Sequence, residues 1–494
     1  MSISQQNSTH RQLRIAEFLT LFVLGLLTMW SVRPLLEEWG LFNAFNQQGL
    51  GFMKQFATST PLRPLHLLPT ALHWELGQGR SIGVALGTVV LLFSRYFIAR
   101  WAVSPILSGT DRWIVATLAA VLLTWPGAWL GRFGPAQISA VYFLIAFGCA
   151  IRLHRRWSLG PAIGCVLSIL FLLATYQALA LLLVALPLFA LIWNAPAAQA
   201  DRGLLQAYRH EIAVAATIAF AFIAYGVYAV VVSQGGSGGY ESTLAESSGR
   251  LLTVSGIAAH VGRAYATAFG GHAAVLPLLL AVAFHLFHGQ NFPQGLRHPH
   301  LALLGVAGFV LSLPLFSLIY VNELHIGDIE RVQFPVATAF AVGCFSLLAW
   351  RCRKTLTPAT SMVQACIVVG AVLAASLVSA YHVKKYALVQ KAVLSQTLAA
   401  LGTQKPASIL IQDASGTLGD VYTFLNPLLT DALAVTGHYI PAIICTPLGV
   451  DRLHPDAQRY PIGTTQRCEE LPPQAAPVLV LTARIENGAL TLRP

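Results

Sequence analysis

Two adjacent carboxylates, Glu37 and Glu38, stand in the stretch SVRPLLEEWGLFN, just past a run of almost purely apolar residues. Further along the same connection, TPLRPLHLLPTALHWELG (60–77) supplies Arg63, His66, His73 and Glu75 among Pro61, Pro64 and Pro69. Proline fixes φ and stiffens the path of a loop, so these groups are expected to be held rather than trailing. A carboxylate in such a place can take a proton from an acceptor hydroxyl. A guanidinium can hold a phosphate through paired N–H donors and stabilise a leaving charge. Arg132 in WLGRFGPAQ and Arg331 in ERVQFP join Arg63 as phosphate candidates. The plainer reading makes the acids solvated charges and the arginines headgroup anchors, with Arg331 paired to Glu330 or Asp328.

Such groups need a scaffold, and composition names it. Of 494 residues, 55% are hydrophobic and only 10% charged. A soluble domain carries about 25% charged residues, so lipid must cover part of this surface. The net charge of +11 does not point to nucleic acid, because Lys and Arg cluster beside apolar segments. The segments are 15–33, 81–99, 113–130, 136–152, 158–175, 177–194, 212–232, 272–288, 301–320, 332–350 and 361–380. The expected architecture is thus an all-α polytopic membrane domain of about eleven helices, each near the ~20 residues that a bilayer requires. Trp125-Pro126-Gly127 breaks the third segment, and Tyr176-Gln177 suggests a tight hairpin within 158–194. No A-x-A-like site follows the first apolar run, so it reads as a retained helix and not a cleaved signal.

Basic residues fall mainly on connections that a cytoplasmic N-terminus places inside, most clearly RLHRRW (152–157) and RCRK (351–354). Arg95, Arg100 and Arg112 are counted with them. The acids concentrate on the opposite connections, of which 34–80 is the largest. There FNAFNQQGLGFMKQFA spaces Phe42, Phe45, Phe52 and Phe56 as an amphipathic interfacial helix. Residues 233–271 open with a Gly/Ser-rich stretch, and 251–270 reads either as interfacial or as one more span.

Composition shifts near residue 381, dividing the chain into a transmembrane domain (1–380) and a small outer α/β domain (381–494). YHVKKYALVQKAVLSQTLAALG reads as an amphipathic helix, ASILIQD as a strand ending in Asp413, and VYTFLNPLLTDALAV as a helix. Two strand-like runs flank Asn487-Gly488, a strong hairpin signal. Asp413, Asp420 and Asp431 read as a turn acid, a cap and a surface residue. Cys445 and Cys468 share this domain, where an oxidising compartment allows a disulfide; two free thiols are the alternative. No metal-spaced cluster appears, and the His-rich run HLFHGQNFPQGLRHPH (His285, His288, His298, His300) reads as a polar connector. A divalent metal is therefore not indicated.

A cytoplasmic start, one apolar helix and an acidic pair in a long first outer loop resemble the polytopic GT-C superfamily of glycosyltransferases. The run TPLRPLHLLPTALHWELG is similar to a loop of its bacterial members, and ATYQALALLL resembles the YQ-containing helices of the branch linked to O-antigen modification. The resemblance implies a sugar donor carried on polyprenyl phosphate and a glycan or lipid acceptor. It implies a bacterial inner-membrane location with the C-terminal domain periplasmic, and an essential acid at Glu37 or Glu38. An O-antigen polymerase or ligase, and a transporter or flippase, are the competing expectations.

Overall fold

The computed structural model describes residues 3–35, 37–105, 109–124, 127–179, 209–233, 358–416, 428–447, 467–471 and 476–494, with single positions at 107, 183, 418, 424 and 474. The expected segments 272–288, 301–320 and 332–350, nearly all of 177–194, Arg331, Asp420, the His-rich run and 251–270 lie outside these residues.

The described chain is mostly helical, with a small C-terminal sheet domain. The helices are α1 (Ile3–Ser31), α2 (Glu38–Gln48), α3 (Gly51–Ser59), α4 (Leu68–Gly77), α5 (Ile82–Ala102), α6 (Gly109–Leu122), α7 (Gly134–Arg155), α8 (Leu159–Thr175), α9 (Arg209–Ser233), α10 (Pro358–Leu401) and α11 (Leu428–Val435). Among the described residues, five helices are long and apolar enough to cross a membrane: α1, α5, α7, α9 and α10. The expected third span differs: α6 stops at Leu122, and two short 3-10 turns lead to α7. Trp125-Pro126-Gly127 accounts for the stop, since proline removes a backbone donor and blocks the preceding turn.

The long helices form a bundle with two distinct ends. At one, called here the tail end, Arg100 pairs with Glu17, and His154 lies 3.5 Å from Glu211. Arg152 closes that end by donating to the carbonyls of Gly148 (2.8 Å) and Trp101 (2.9 Å). Arg95 departs from expectation: it is fully buried within the bundle, its Nε donating to the Ala120 carbonyl (2.9 Å). The opposite end, the sheet end, carries the 34–80 connection and the C-terminal domain.

The phenylalanine-rich stretch is not one helix but two. Gly49 takes a positive φ of 57° between them, a conformation that costs glycine little. Phe42 and Phe45 are fully buried, and Phe45 meets Phe52 edge-on at 5.3 Å. The next helix, α4, lies hard against α5. An ideal Cβ on Gly83 would fall 1.9 Å from the His73 carbonyl oxygen, and one on Gly87 would fall 2.0 Å from the His73 ring. Small residues four apart let two helices approach in this way. Gly83→Ala is expected to force backbone apart and cost about 3 kcal/mol, read as a lowered thermal midpoint; an unchanged midpoint would show that the contact tolerates a methyl group.

Residue 380 is not a structural boundary. Helix α10 runs unbroken for 44 residues, about 66 Å at 1.5 Å per residue. No Gly or Pro occurs between Ala371 and Leu401 to interrupt it. Its far end packs against a four-stranded sheet of order β2-β1-β3-β4, comprising β1 (Ser408–Asp413), β2 (Ala442–Cys445), β3 (Val478–Glu486) and β4 (Ala489–Arg493). Strand β1 pairs in parallel with β2 and β3, and β3 pairs antiparallel with β4. The β3–β4 turn holds Asn487 and Gly488 at φ 51° and 76°, the left-handed pair that a tight hairpin demands. Cys445 and Cys468 are bonded, with Cα atoms 5.0 Å apart. Closing a loop of this size restricts the unfolded chain, so replacing both cysteines by serine is expected to cost about 3 kcal/mol. The measurement is the unfolding midpoint of the sheet domain with and without reductant; a midpoint indifferent to both would refute it.

Candidate functional site

The acidic pair sits at the sheet end, where α1 gives way to α2, and its two members diverge. Glu37 is the residue before α2 and is exposed. Its Oε1 lies 3.4 Å from an Arg132 guanidinium nitrogen. A carboxylate at a helix start is also favoured by the positive end of the helix dipole. Arg132 sits in the 3-10 turn Gly131–Phe133 that feeds α7, with its guanidinium 5.3 Å from the Phe133 ring. Its side chain is only 8% exposed, so the charge is held in place instead of sweeping through solvent.

Glu38 is 2% exposed. Its Oε2 accepts the backbone N–H of Leu35 at 2.8 Å, and the backbone N–H of Arg132 also points to the carboxyl. Burial pushes its pKa up to about 8; the two backbone donors and the Arg132 charge oppose the rise, and the Glu37 charge adds to it. Gly131 makes room: a Cβ there would fall 2.3 Å from Glu38 Oε1. The two acids therefore differ: Glu37 is exposed beside the Arg132 guanidinium, and Glu38 is a buried strut, its proton held more tightly, joining α1, α2 and the Arg132 turn.

The 60–77 groups separate in the same way. Arg63 donates from Nε to Gln177 Oε1 (3.2 Å) and lies 5.6 Å from the Tyr176 ring centroid. His66 Nδ1 is 3.2 Å from the Thr175 carbonyl, and its ring stacks on Phe56 at 5.8 Å. Tyr176 and Gln177, where a hairpin was expected, are therefore the seat on which this loop docks. Tyr228 of α9 strengthens the seat through a 2.7 Å hydrogen bond to the Pro61 carbonyl. Arg63 and His66 thus serve here to fix the loop, and neither is brought to Glu37.

His73 is wedged between Gly87 and Gly134, 1% exposed, and neither ring nitrogen has a hydrogen-bond partner among the described residues. Burial lowers its pKa to about 4, leaving it neutral and unfit to hold a phosphate. Glu75 projects from the exposed side of α4 and forms no ion pair with the described residues. Asp413, buried, accepts from the backbone of Ser415, Gly416 and Leu418 and so organises its own turn. Among the described residues, no group of three or more His, Cys, Asp or Glu could hold a metal ion.

Two residues at this end, Trp39 and Asn43, carry weight that the sequence did not suggest. Trp39 donates to Gln390 on α10 (3.0 Å) and belongs to the apolar core of the sheet domain. Asn43 donates to Asp431 of α11 (2.9 Å). Helix α2 is thereby gripped on one face by the sheet domain while Glu38 enters the bundle on the other. Comparison with protein-family models, with curated proteins and with solved structures returns no match to this chain.

Proposed function

We propose that the chain is a membrane glycosyltransferase that moves a sugar from a polyprenyl-phosphate donor to a glycan or lipid acceptor by an inverting mechanism. Glu37 takes the proton of the acceptor hydroxyl while that oxygen attacks the anomeric carbon. The bond from that carbon to the donor phosphate oxygen breaks, and its electron pair leaves on the lipid phosphate. Arg132 meets the developing charge. Glu38 touches neither reactant; it positions Glu37 and Arg132 by binding backbone on both sides of them. In this reading about eleven helices cross a bacterial inner membrane, with the N-terminus cytoplasmic and the sheet domain periplasmic.

The observation that carries the proposal is an exposed carboxylate opposite a held guanidinium, where a membrane-length helix ends. A lipid phosphate resides at that level. The O-antigen polymerase or ligase reading also uses arginines on the same side, but the acidic pair fits it less well. Arg95 favours the transporter or flippase reading, since a buried intramembrane charge often marks a translocation path. Proteoliposomes carrying the full chain, a panel of polyprenyl-phosphate hexoses and outer-face acceptors would separate these outcomes. Transfer of label to the acceptor supports the transferase; movement of the intact lipid between leaflets without transfer would replace it.

A further inference from the structure

A second polar feature lies beside the acidic pair, and none of Glu37, Glu38 and Arg132 lines it. Between the end of α1, the start of α2 and the post-bundle stretch of α10 is an open cavity of about 280 Å³. Arg33, Lys384 and Lys391 line it together with Trp39, Gln390 and Leu388, and no carboxylate is among its lining residues. Arg33 uses one terminal nitrogen on the Met29 carbonyl (3.0 Å), and Lys384 donates to the Trp30 carbonyl (2.9 Å). Both cations are therefore pinned at the rim, while Lys391 is exposed. Three like charges gathered in a concavity repel one another, and an anion relieves that repulsion.

The surroundings say which anion. Directly toward the tail end, the same two helices expose an apolar strip: Leu26 and Trp30 on α1, and Leu377, Val378 and Tyr381 on α10. Leu377 is seven residues from Lys384, about 10 Å along the helix. Trp30 and Tyr381 form the end of the strip nearest the cations, as aromatic residues do at the headgroup level. A free phosphate would use the cations and leave the strip idle. A two-chain anionic phospholipid uses both. We infer that this groove is a binding site for the phosphate of an anionic membrane phospholipid whose acyl chains lie along α1 and α10. The site is separate from the Glu37–Arg132 pair and stands whether or not that pair transfers sugar.

The test uses the full chain in nanodiscs, with phosphatidylglycerol or phosphatidylcholine as probe, and counts lipid retained per protein after transfer to neutral detergent. Phosphatidylglycerol should be retained over phosphatidylcholine. Each lysine near an anionic headgroup contributes about fivefold in affinity, so the double substitution Lys384→Ala and Lys391→Ala should weaken retention about thirtyfold. The paired Arg replacements should restore it. Lys391→Glu alone, at an exposed position that does not threaten folding, should also weaken it. Lys405, exposed just beyond the end of α10 and not lining the groove, is the control; Lys405→Ala should retain lipid like the parent. Equal retention of the two lipids, or equal loss with Lys405→Ala, would overturn the inference. So would displacement of phosphatidylglycerol by millimolar inorganic phosphate, which would mark a free-anion pocket.

Discussion

Glu37→Gln is expected to lower sugar transfer by about 10²- to 10⁴-fold, the range that a positioned general base contributes, while donor binding stays nearly unchanged. The amide keeps the size of the side chain but cannot accept the hydroxyl proton. Glu37 is exposed and outside the packed core, so loss of fold is not the expected route to loss of rate. Arg132→Ala should also lower the rate, but with a weaker apparent affinity for the lipid-phosphate donor. The 3.4 Å approach of the two side chains makes them a unit, and the double variant should fall short of the product of the single effects. Steady-state transfer measured against donor concentration for the three variants checks this. Full activity in Glu37→Gln would remove the base, and with it the mechanism.

Glu38→Gln should do something different. Its carboxyl has a pKa of about 8 in the folded protein, against an ordinary value of 4.5. The folded state therefore holds the proton more tightly than the unfolded one. This advantage is complete below the ordinary value and disappears as pH rises from about 4.5 through about 8. The full span amounts to roughly 5 kcal/mol for a wholly buried group. The parent protein should accordingly lose thermal stability as pH rises from about 4.5 to about 8. Glu38→Gln, permanently neutral and nearly the same shape, should lose the slope and be the more stable protein at high pH. Glu38→Ala should be less stable at every pH, because the Leu35 and Arg132 amides would lose their acceptor inside the bundle. Melting curves across pH for the three proteins decide it, and parallel curves for parent and Gln variant would refute the buried neutral acid.

How the pair divides was half legible in the sequence. Helical spacing puts Glu38, Phe42 and Phe45 on one stripe, at i, i+4 and i+7. The neighbour Glu37 must then point about a quarter turn away. Reading the two acids as a matched pair overlooked this period. The close glycines were also readable, since Gly83 and Gly87 are four apart in an apolar helix. Gly131 was not: its role depends on Glu38 arriving from residues far away in the chain. The Asn487-Gly488 hairpin and the strand ending at Asp413 follow from local turn chemistry and alternation. The parallel pairing of β1 with β2 and β3 is a long-range choice that no local pattern carries. Arg95 was misplaced because, although it falls inside the 81–99 segment, its charge was counted with the inner connection; its burial reflects packing among α5, α6 and their neighbours.

Helix α10 has one more implication. A rod with no joint transmits torsion, so a small roll of its bundle half must swing the sheet at its tip. The tip is also bolted sideways to α2 through Trp39 and Asn43. Rod, sheet and α2 thus close a triangle, and a triangle cannot shear. Whatever grips the sheet from outside pulls on the very turn from which Glu37 projects.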